Sequence, residues 1–423
     1  MKRILQQLRR LLELAVLRRG PGASLDAGRS FSIPGAALLV SLVAAGFGAV
    51  AAGPEAAALR AAVVELQREF GPRYPGAQGY LQRLEALEAR SADAGGEAAR
   101  AEFEALRREA LIANPLVSGQ PILFVERPQY RPDHHNTATF FPKAKTEYND
   151  GHFVPGSSLR LLNLAGSGTV KVLLDQRQGV VRDPEVHFEG QRIVFSLRRG
   201  VDDSYHVYEI HADGTGLRQL TFAPDVDDLD PLYLPDEGIV FSSTREPKYC
   251  MCNRHIMANL YRMEGDGANI VQIGKSTLFE GHASLMADGR ILYDRWEYVD
   301  RNFGDAQALW TVNPDGSNHA IYWGNNTPSP GAVIDGRTIP GTQLAMCVFG
   351  SCHDRPWGAL AILDRRQGVD GRQSVVRTWP ADAINLVKEQ GWEVFDAFTA
   401  VKLKYEDPFP LNEKFFLCTR MTG

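Results

Sequence analysis

Cysteine is scarce in this chain: five in 423 residues, too few for a disulfide-dense scaffold. Neither sign of charge dominates, with 46 Lys+Arg against 51 Asp+Glu and a net charge of -5, so there is no basic footprint for nucleic acid. Long apolar runs are missing apart from one near the N-terminus, which excludes a polytopic membrane protein. The chemistry motifs G-x-S-x-G, P-loop, H-E-x-x-H and C-x-x-C-H are all absent, so no serine-hydrolase, nucleotide-triphosphate or zincin reading has support and no haem attachment site is convincing. Hydrophobic content of 44% and charged content of 23% nevertheless describe an ordinary globular chain with ample core.

The one apolar run is Gly35 to Gly53. It follows a stretch holding Lys2, Arg3, Arg9, Arg10, Arg18, Arg19 and Arg29, and it ends in the small-x-small triplet Ala49-Val50-Ala51. Residues 1–53 therefore read as a signal peptide, or as an uncleaved inner-membrane anchor. Either reading places the remainder in the periplasm or another extracytoplasmic space, with the membrane touched only through this segment. Residues 54–113 carry apolar residues at three- and four-residue spacing and predict a helical preface, broken at Gly71-Pro72.

From residue 114 the pattern becomes short β-branched or aromatic runs between Asp-Gly turns. DPEVHFEGQRIVFSLRR and YHVYEIHADGTGLRQLTF form one unit; DPLYLPDEGIVFSSTR and NLYRMEGDGANIVQI form another. Each unit reads as a four-stranded meander, and its period is that of a propeller blade. The fold class expected is all-β, a six-bladed-type propeller over 114–423. Blades fall near 114–176, 183–222, 230–275, 282–324, 330–380 and 407–423, the last incomplete. Within blades, Asp183 is expected to meet Arg198, Asp230 to meet Arg245 and Asp407 to meet Arg420. His282 replaces the Asp of the fourth blade, opposite Arg295.

The loops after the second strands should emerge at one end, and they hold most of the unusual residues. Cys250-x-Cys252-x-x-His255 is the sharpest cluster, and Cys352-His353 lies in a later loop. Thiolate and imidazole are ligands for zinc or another transition metal. The metal candidates are Cys250, Cys252, His255 and His353. His134, His135, His282, Cys352, Arg245 and Arg295 are candidate accessory residues, the arginines suiting small anions or carboxylates. A disulfide to Cys352 is the competing reading for these thiols, since export permits oxidation. Cys347 and Cys418 sit in apolar strands and read as core residues.

The repeat DPxxxPDGxIVFSS followed by ADGTGLRQLT resembles the Tol-B-like propeller repeats. NPLVSGQPILFVER, STREPKYCMCNRHIMANLYRM, GSCHDRPWGALAILDRR and DPFPLNEKFFL resemble the propeller part of the hydrazine synthase alpha-subunit family. That resemblance implies a periplasmic-type setting, a zinc site beside a haem, and a propeller cysteine among its ligands, with Cys250 or Cys252 as the matching position. It also implies c-type haem carried on separate domains. With C-x-x-C-H absent, that haem would lie outside the 423 residues. The function expected is metal binding at a Cys/His-rich mouth that docks a haem or redox domain, with any enzymatic role of oxidoreductase type. The alternative is a non-catalytic Tol-B-like platform for protein partners.

Overall fold

The computed structural model describes residues 15–16, 53–91, 96–129, 134–137, 153–164, 168–252, 256–298, 307–391 and 393–421. The expected signal or anchor lies almost entirely outside the described residues, and His255 lies outside them too. Among the described residues no helix is long and apolar enough to cross a membrane. The chain divides into two compact units, one mainly helical and one built of sheets.

In the helical unit, α1 is Pro54–Phe70, α2 is Ala77–Ser91 and α3 is Glu97–Ile112. Pro54 opens α1 at a position where its missing N–H costs nothing. Gly71, at φ 51°, ends it. Leu59, Ala62, Val63, Leu66 and Phe70 form the buried stripe of α1, and Phe103, Leu106 and Ala110 form that of α3. The Tyr74 hydroxyl donates to the carbonyl of Ala110 at 2.8 Å, tying the turn after α1 to α3. Asn114 does not begin a strand as expected. Its side chain accepts from the Leu116 N–H and caps a helical turn, Pro115–Ser118.

The sheet unit is an all-β propeller. Five blades are described: one three-stranded sheet followed by four four-stranded antiparallel meanders. The first sheet holds β1 (Ile122–Glu126), β2 (Ser157–Asn163) and β3 (Thr169–Gln176). The meanders run from Val180 to Gln219, Asp228 to Gln272, Phe279 to Trp323 and Ala332 to Trp379. The expected partial sixth blade is a two-stranded hairpin of Tyr405–Pro410 and Phe415–Arg420. Its Glu406 meets Arg127 at 3.8 Å and Gln129 at 3.5 Å, just past β1. Among the described residues the count is thus five blades and a hairpin instead of the expected six blades.

Apolar layers between successive sheets hold the blades together. Leu159 and Leu173 pack with Phe195 and Tyr208, Val194 and Val207 with Phe241, and Leu232 and Val240 with Tyr293. Leu292 and Leu309 pack with Phe349 and Ala361. Each such large side chain contributes roughly 1.5–3 kcal/mol when fully buried. Outer hairpins repeat one device: Asp213, Asp266 and Asp315 each accept from the N–H two residues on, at 2.8, 2.9 and 2.9 Å. The glycine that follows each takes φ 88°, 93° and 82°, where a side chain would be strained.

The first strand of each later sheet carries a bulge at the same place. Asp183, Asp230, His282, Asp335 and Asp407 have φ of 53°, 51°, 48°, 52° and 50°. Each lies where strand register shifts against its neighbour. First strands neighbour one another in chain order, so these residues form a belt. The Asp230 N–H donates to Asp183 Oδ2 at 3.3 Å, and the His282 N–H donates to Asp230 Oδ2 at 3.1 Å.

The strand register overturns the expected Asp–Arg pairing. Arg198, Arg295 and Arg420 lie opposite Val180, Glu280 and Tyr405, each two or three residues before the belt position. Arg198 donates to the carbonyls of Gly200 and Val201, and Arg245 pairs with Asp228. The arginines pair ahead of the bulges, so the offset is set by the register of each strand pair and the belt residue faces a different position of the second strand.

Candidate functional site

Four loops leave the second strands of the meanders, or β1 in the first sheet, on one end of the propeller. The segment 134–137 lies between β1 and β2. The turn holding Cys250 and Cys252 follows Ile239–Ser243 and is closed by a bridge between Tyr249 and Ile256. Tyr298 follows Ile291–Trp296, and Cys352-His353 follows Ala345–Gly350.

These loops bring together three imidazoles and two thiols. One donor of each of His134, His135 and Cys252 lies within 4.8 Å of the others, and the same holds for His135, Cys352 and His353. His135 belongs to both groups. The ring centres of His134, His135 and His353 are 4.3, 4.7 and 4.8 Å apart pairwise. His135 Nδ1 is 3.5 Å from Cys352 Sγ. His135 also meets the edge of Trp296 at 4.9 Å, so one wall of the cluster is apolar.

A ring of amides and carbonyls fixes this arrangement. Asn136 donates from its side chain to Gln307 Oε1 (3.1 Å) and to the carbonyls of Ser351 (3.0 Å) and Cys352 (3.2 Å). Gln307 returns a bond to Asn136 Oδ1 at 3.1 Å, and the Asn136 N–H donates to the Cys352 carbonyl at 3.1 Å. Two loops more than two hundred residues apart are thereby sewn together. On the far side, Asp396 accepts from the His353 N–H at 2.9 Å and lies 2.7 Å from its Nδ1. Burial acts upward on the Asp396 carboxyl, but the bonds from His353 outweigh it and hold the group below the usual carboxylate range.

The sequence-predicted residues divide into those the fold gathers and those it does not. Cys252 and His353 are in the cluster, with His134, His135 and Cys352. Cys250 is buried beside it, its Sγ 3.0 Å from the Tyr298 hydroxyl, which also lies 3.9 Å from Cys252 Sγ. None of the five cysteines is in a disulfide. Burial pushes the Cys352 and Cys347 thiols well above the ordinary value. Cys347 is core as expected, whereas Cys418 is partly exposed. His282 is elsewhere, on the belt, where it contacts Asp294 and Asp335. Arg245 is held by Asp228 and Ser243, and Arg295 by Glu280 and Glu297, so carboxylates already occupy both guanidinium groups. Tyr298, Asn136, Gln307 and Asp396 escaped the sequence reading. No motif marks them, since each joins the cluster only through long-range packing.

No family model matches the chain, and no curated protein matches it in sequence. Solved structures do resemble it. Hydrazine synthase from Kuenenia stuttgartiensis aligns with 72% of this chain and 42% of its own, at 19% identity and a TM-score of 0.53. A putative TolB from Agrobacterium tumefaciens aligns with 72% of this chain and 91% of its own, at 12% identity and a TM-score of 0.42. TolB from Acinetobacter baumannii aligns over 49% of this chain and 46% of its own, at 15% identity and a TM-score of 0.37. The chain spans less than half the length of the hydrazine synthase chain it resembles. The hydrazine synthase likeness agrees with the class of protein that the sheets define, an all-β propeller, and speaks to fold rather than activity.

Proposed function

We propose that this chain is an extracytoplasmic propeller that binds a transition metal, zinc foremost, at the loop cluster and there docks a haem or redox domain. One observation carries the reading: two thiols and three imidazoles from three separate loops form two triads of ligand atoms that share His135. That donor set fits zinc, which takes four Cys and His ligands when structural and three plus an open position when catalytic. His135, Cys352 and His353 would hold the ion from the buried side, and His134 and Cys252 from the exposed side. A bound cation would offset the burial that disfavours the Cys352 thiolate, and would supply Lewis-acid character at the surface.

The docking part of the proposal rests on the rim. Tyr249 and Met251 flank the cluster and are 59% and 69% exposed. Large apolar side chains beside a polar site suit a protein partner. Haem chemistry, if it operates here, belongs to that partner or to a separate domain, because these 423 residues contain no C-x-x-C-H. The basic-then-apolar N-terminal sequence supports export. The same exposed rim favours a second reading, a Tol-B-like platform without metal.

Elemental analysis separates the two. Purified chain should carry metal in fixed ratio, and Cys252→Ser and Cys352→Ser should each lower it. Metal-free protein after expression with added zinc would leave the platform reading.

A further inference from the structure

The connection from the fifth blade to the final hairpin packs on the Cys352-His353 loop. The Cys352 N–H donates to the Phe395 carbonyl at 3.3 Å, and the Phe395 ring meets the His353 ring at 5.5 Å. Asp396 stands at the N-cap of a short 3-10 turn, Ala397–Ala400, yet its side chain makes no capping bond. An aspartate in that position ordinarily accepts from its own turn. Here both carboxylate oxygens serve His353, one on its backbone N–H and one on Nδ1.

We infer that Asp396 is the positioning residue of the cluster, an orienting carboxylate that fixes the His353 ring and tautomer for metal binding. This inference rests on the metal reading above. With Nδ1–H donating to the carboxylate, the lone pair lies on Nε2, so Nε2 is the ligand atom. Carboxylate–histidine pairs of this kind raise ligand basicity and preset ring orientation. His353 is thereby a prepared ligand although it is partly exposed, and the 352–353 side becomes the fixed half of the site. Cys252, on an exposed turn and 3.9 Å from the Tyr298 hydroxyl, is the half that adjusts.

The test uses the whole chain with zinc and cobalt(II) as probes, in wild type, Asp396→Asn and Asp396→Ala. Asp396→Ala should weaken zinc binding by about 10- to 100-fold in competition with a chromophoric chelator. Asp396→Asn keeps an acceptor for Nδ1–H but removes the charge. It should bind with intermediate affinity and shift the cobalt(II) absorption bands, although its metal-free melt falls somewhat because the amide has one acceptor oxygen for the two His353 donors. A purely structural tether would move the melt and leave the cobalt spectrum unchanged. Wild type that binds metal, with both variants binding as tightly and with unaltered cobalt spectra, overturns the role of Asp396 alone. Wild type that takes up neither metal overturns the metal reading and this inference with it.

Discussion

His282 Nδ1 lies 2.5 Å from Asp294 Oδ1, an imidazolium–carboxylate pair buried in the belt where four other blade positions carry aspartate. Burial acts downward on the imidazole, but Asp294, then Asp335, outweigh it and push its pKa up to about 10. The folded value lies above the unfolded one. The contribution to stability is therefore fully present below the unfolded pKa of about 6.5 and is lost as pH rises through about 10. Urea unfolding of wild type should show stability falling between neutral pH and pH 10. His282→Asn, which tolerates the left-handed backbone, leaves Asp294 without its cation and should cost about 3–5 kcal/mol at neutral pH. It should also flatten the alkaline slope; an unchanged slope would remove His282 as its cause.

Asp183 and Asp230 titrate as a pair. Burial opposes the ionised form of both, but Arg182, 2.6 Å from Asp183, keeps that carboxyl lowered. Burial and then the Asp183 charge push Asp230 up to about 7. A carboxyl raised on folding favours the folded state below its unfolded pKa, near 4, and this contribution is lost as pH rises through about 7. Asp230→Asn stays neutral throughout, tolerates φ 51°, and keeps an acceptor for the His282 N–H. Relative to wild type it should gain stability between pH 5 and pH 8, read from thermal melts across that range. A difference independent of pH would refute the shared-proton account.

These two predictions stand on a feature that the sequence displayed and concealed at once. The repeated Asp-Pro was visible, as was its replacement by His282-Ala283, and the blade period made the propeller legible with a helical segment before it. The Asp–Arg pairing fails because the period-two pattern does not give the register between two strands, and Arg198, Arg295 and Arg420 pair two or three residues ahead of the belt position. The loop cluster was legible in part. Second-strand loops share one end in any meander propeller, so Cys252, Cys352, His134, His135 and His353 were all nameable. What the sequence does not disclose is distance along a loop: Cys250 and Cys252 are two residues apart, yet one is buried and the other exposed. Asp396 sits in a connection with no strand pattern, so only packing reveals it.

Cys252 and Cys347 should respond oppositely to the same substitution. Cys347 is fully buried between apolar strands of the fifth blade. A serine there buries a hydroxyl and should cost about 1–3 kcal/mol of stability while leaving metal content unchanged. Cys252→Ser, on an exposed turn, should leave the metal-free melting temperature unchanged and lower metal content. Equal metal loss in both variants would point to general unfolding instead of lost ligation.

Asn136 is the stitch between the 134–137 and 351–353 loops, and Gln307 depends on it. Asn136→Ala would leave the buried Gln307 amide without the two bonds it now exchanges with that residue. The cost should be about 1–3 kcal/mol. Because His134 and His135 precede Asn136 directly, metal affinity should fall as well, although no ligand is removed. Parallel unfolding and zinc titrations test this, and an Asn136→Ala chain with wild-type affinity would show that the histidines are held by other contacts.

Metal binding should make stability depend on free metal and on acidity together. A ligand that binds only the folded chain adds about 2.7 kcal/mol when its free concentration is 100 times its dissociation constant. Wild type should therefore melt higher with zinc than with chelator. The gap should close as pH falls, since protons compete for thiolates and imidazoles. In the Cys352→Ser chain the gap should shrink at every pH, because a buried ligand next to His135 is gone. The belt groups titrate with or without zinc, so their pH dependence must persist in the chelated protein. Subtracting the chelated melting profile from the zinc-loaded one isolates the cluster, and a difference profile that is flat with pH would argue against thiolate and imidazole ligands.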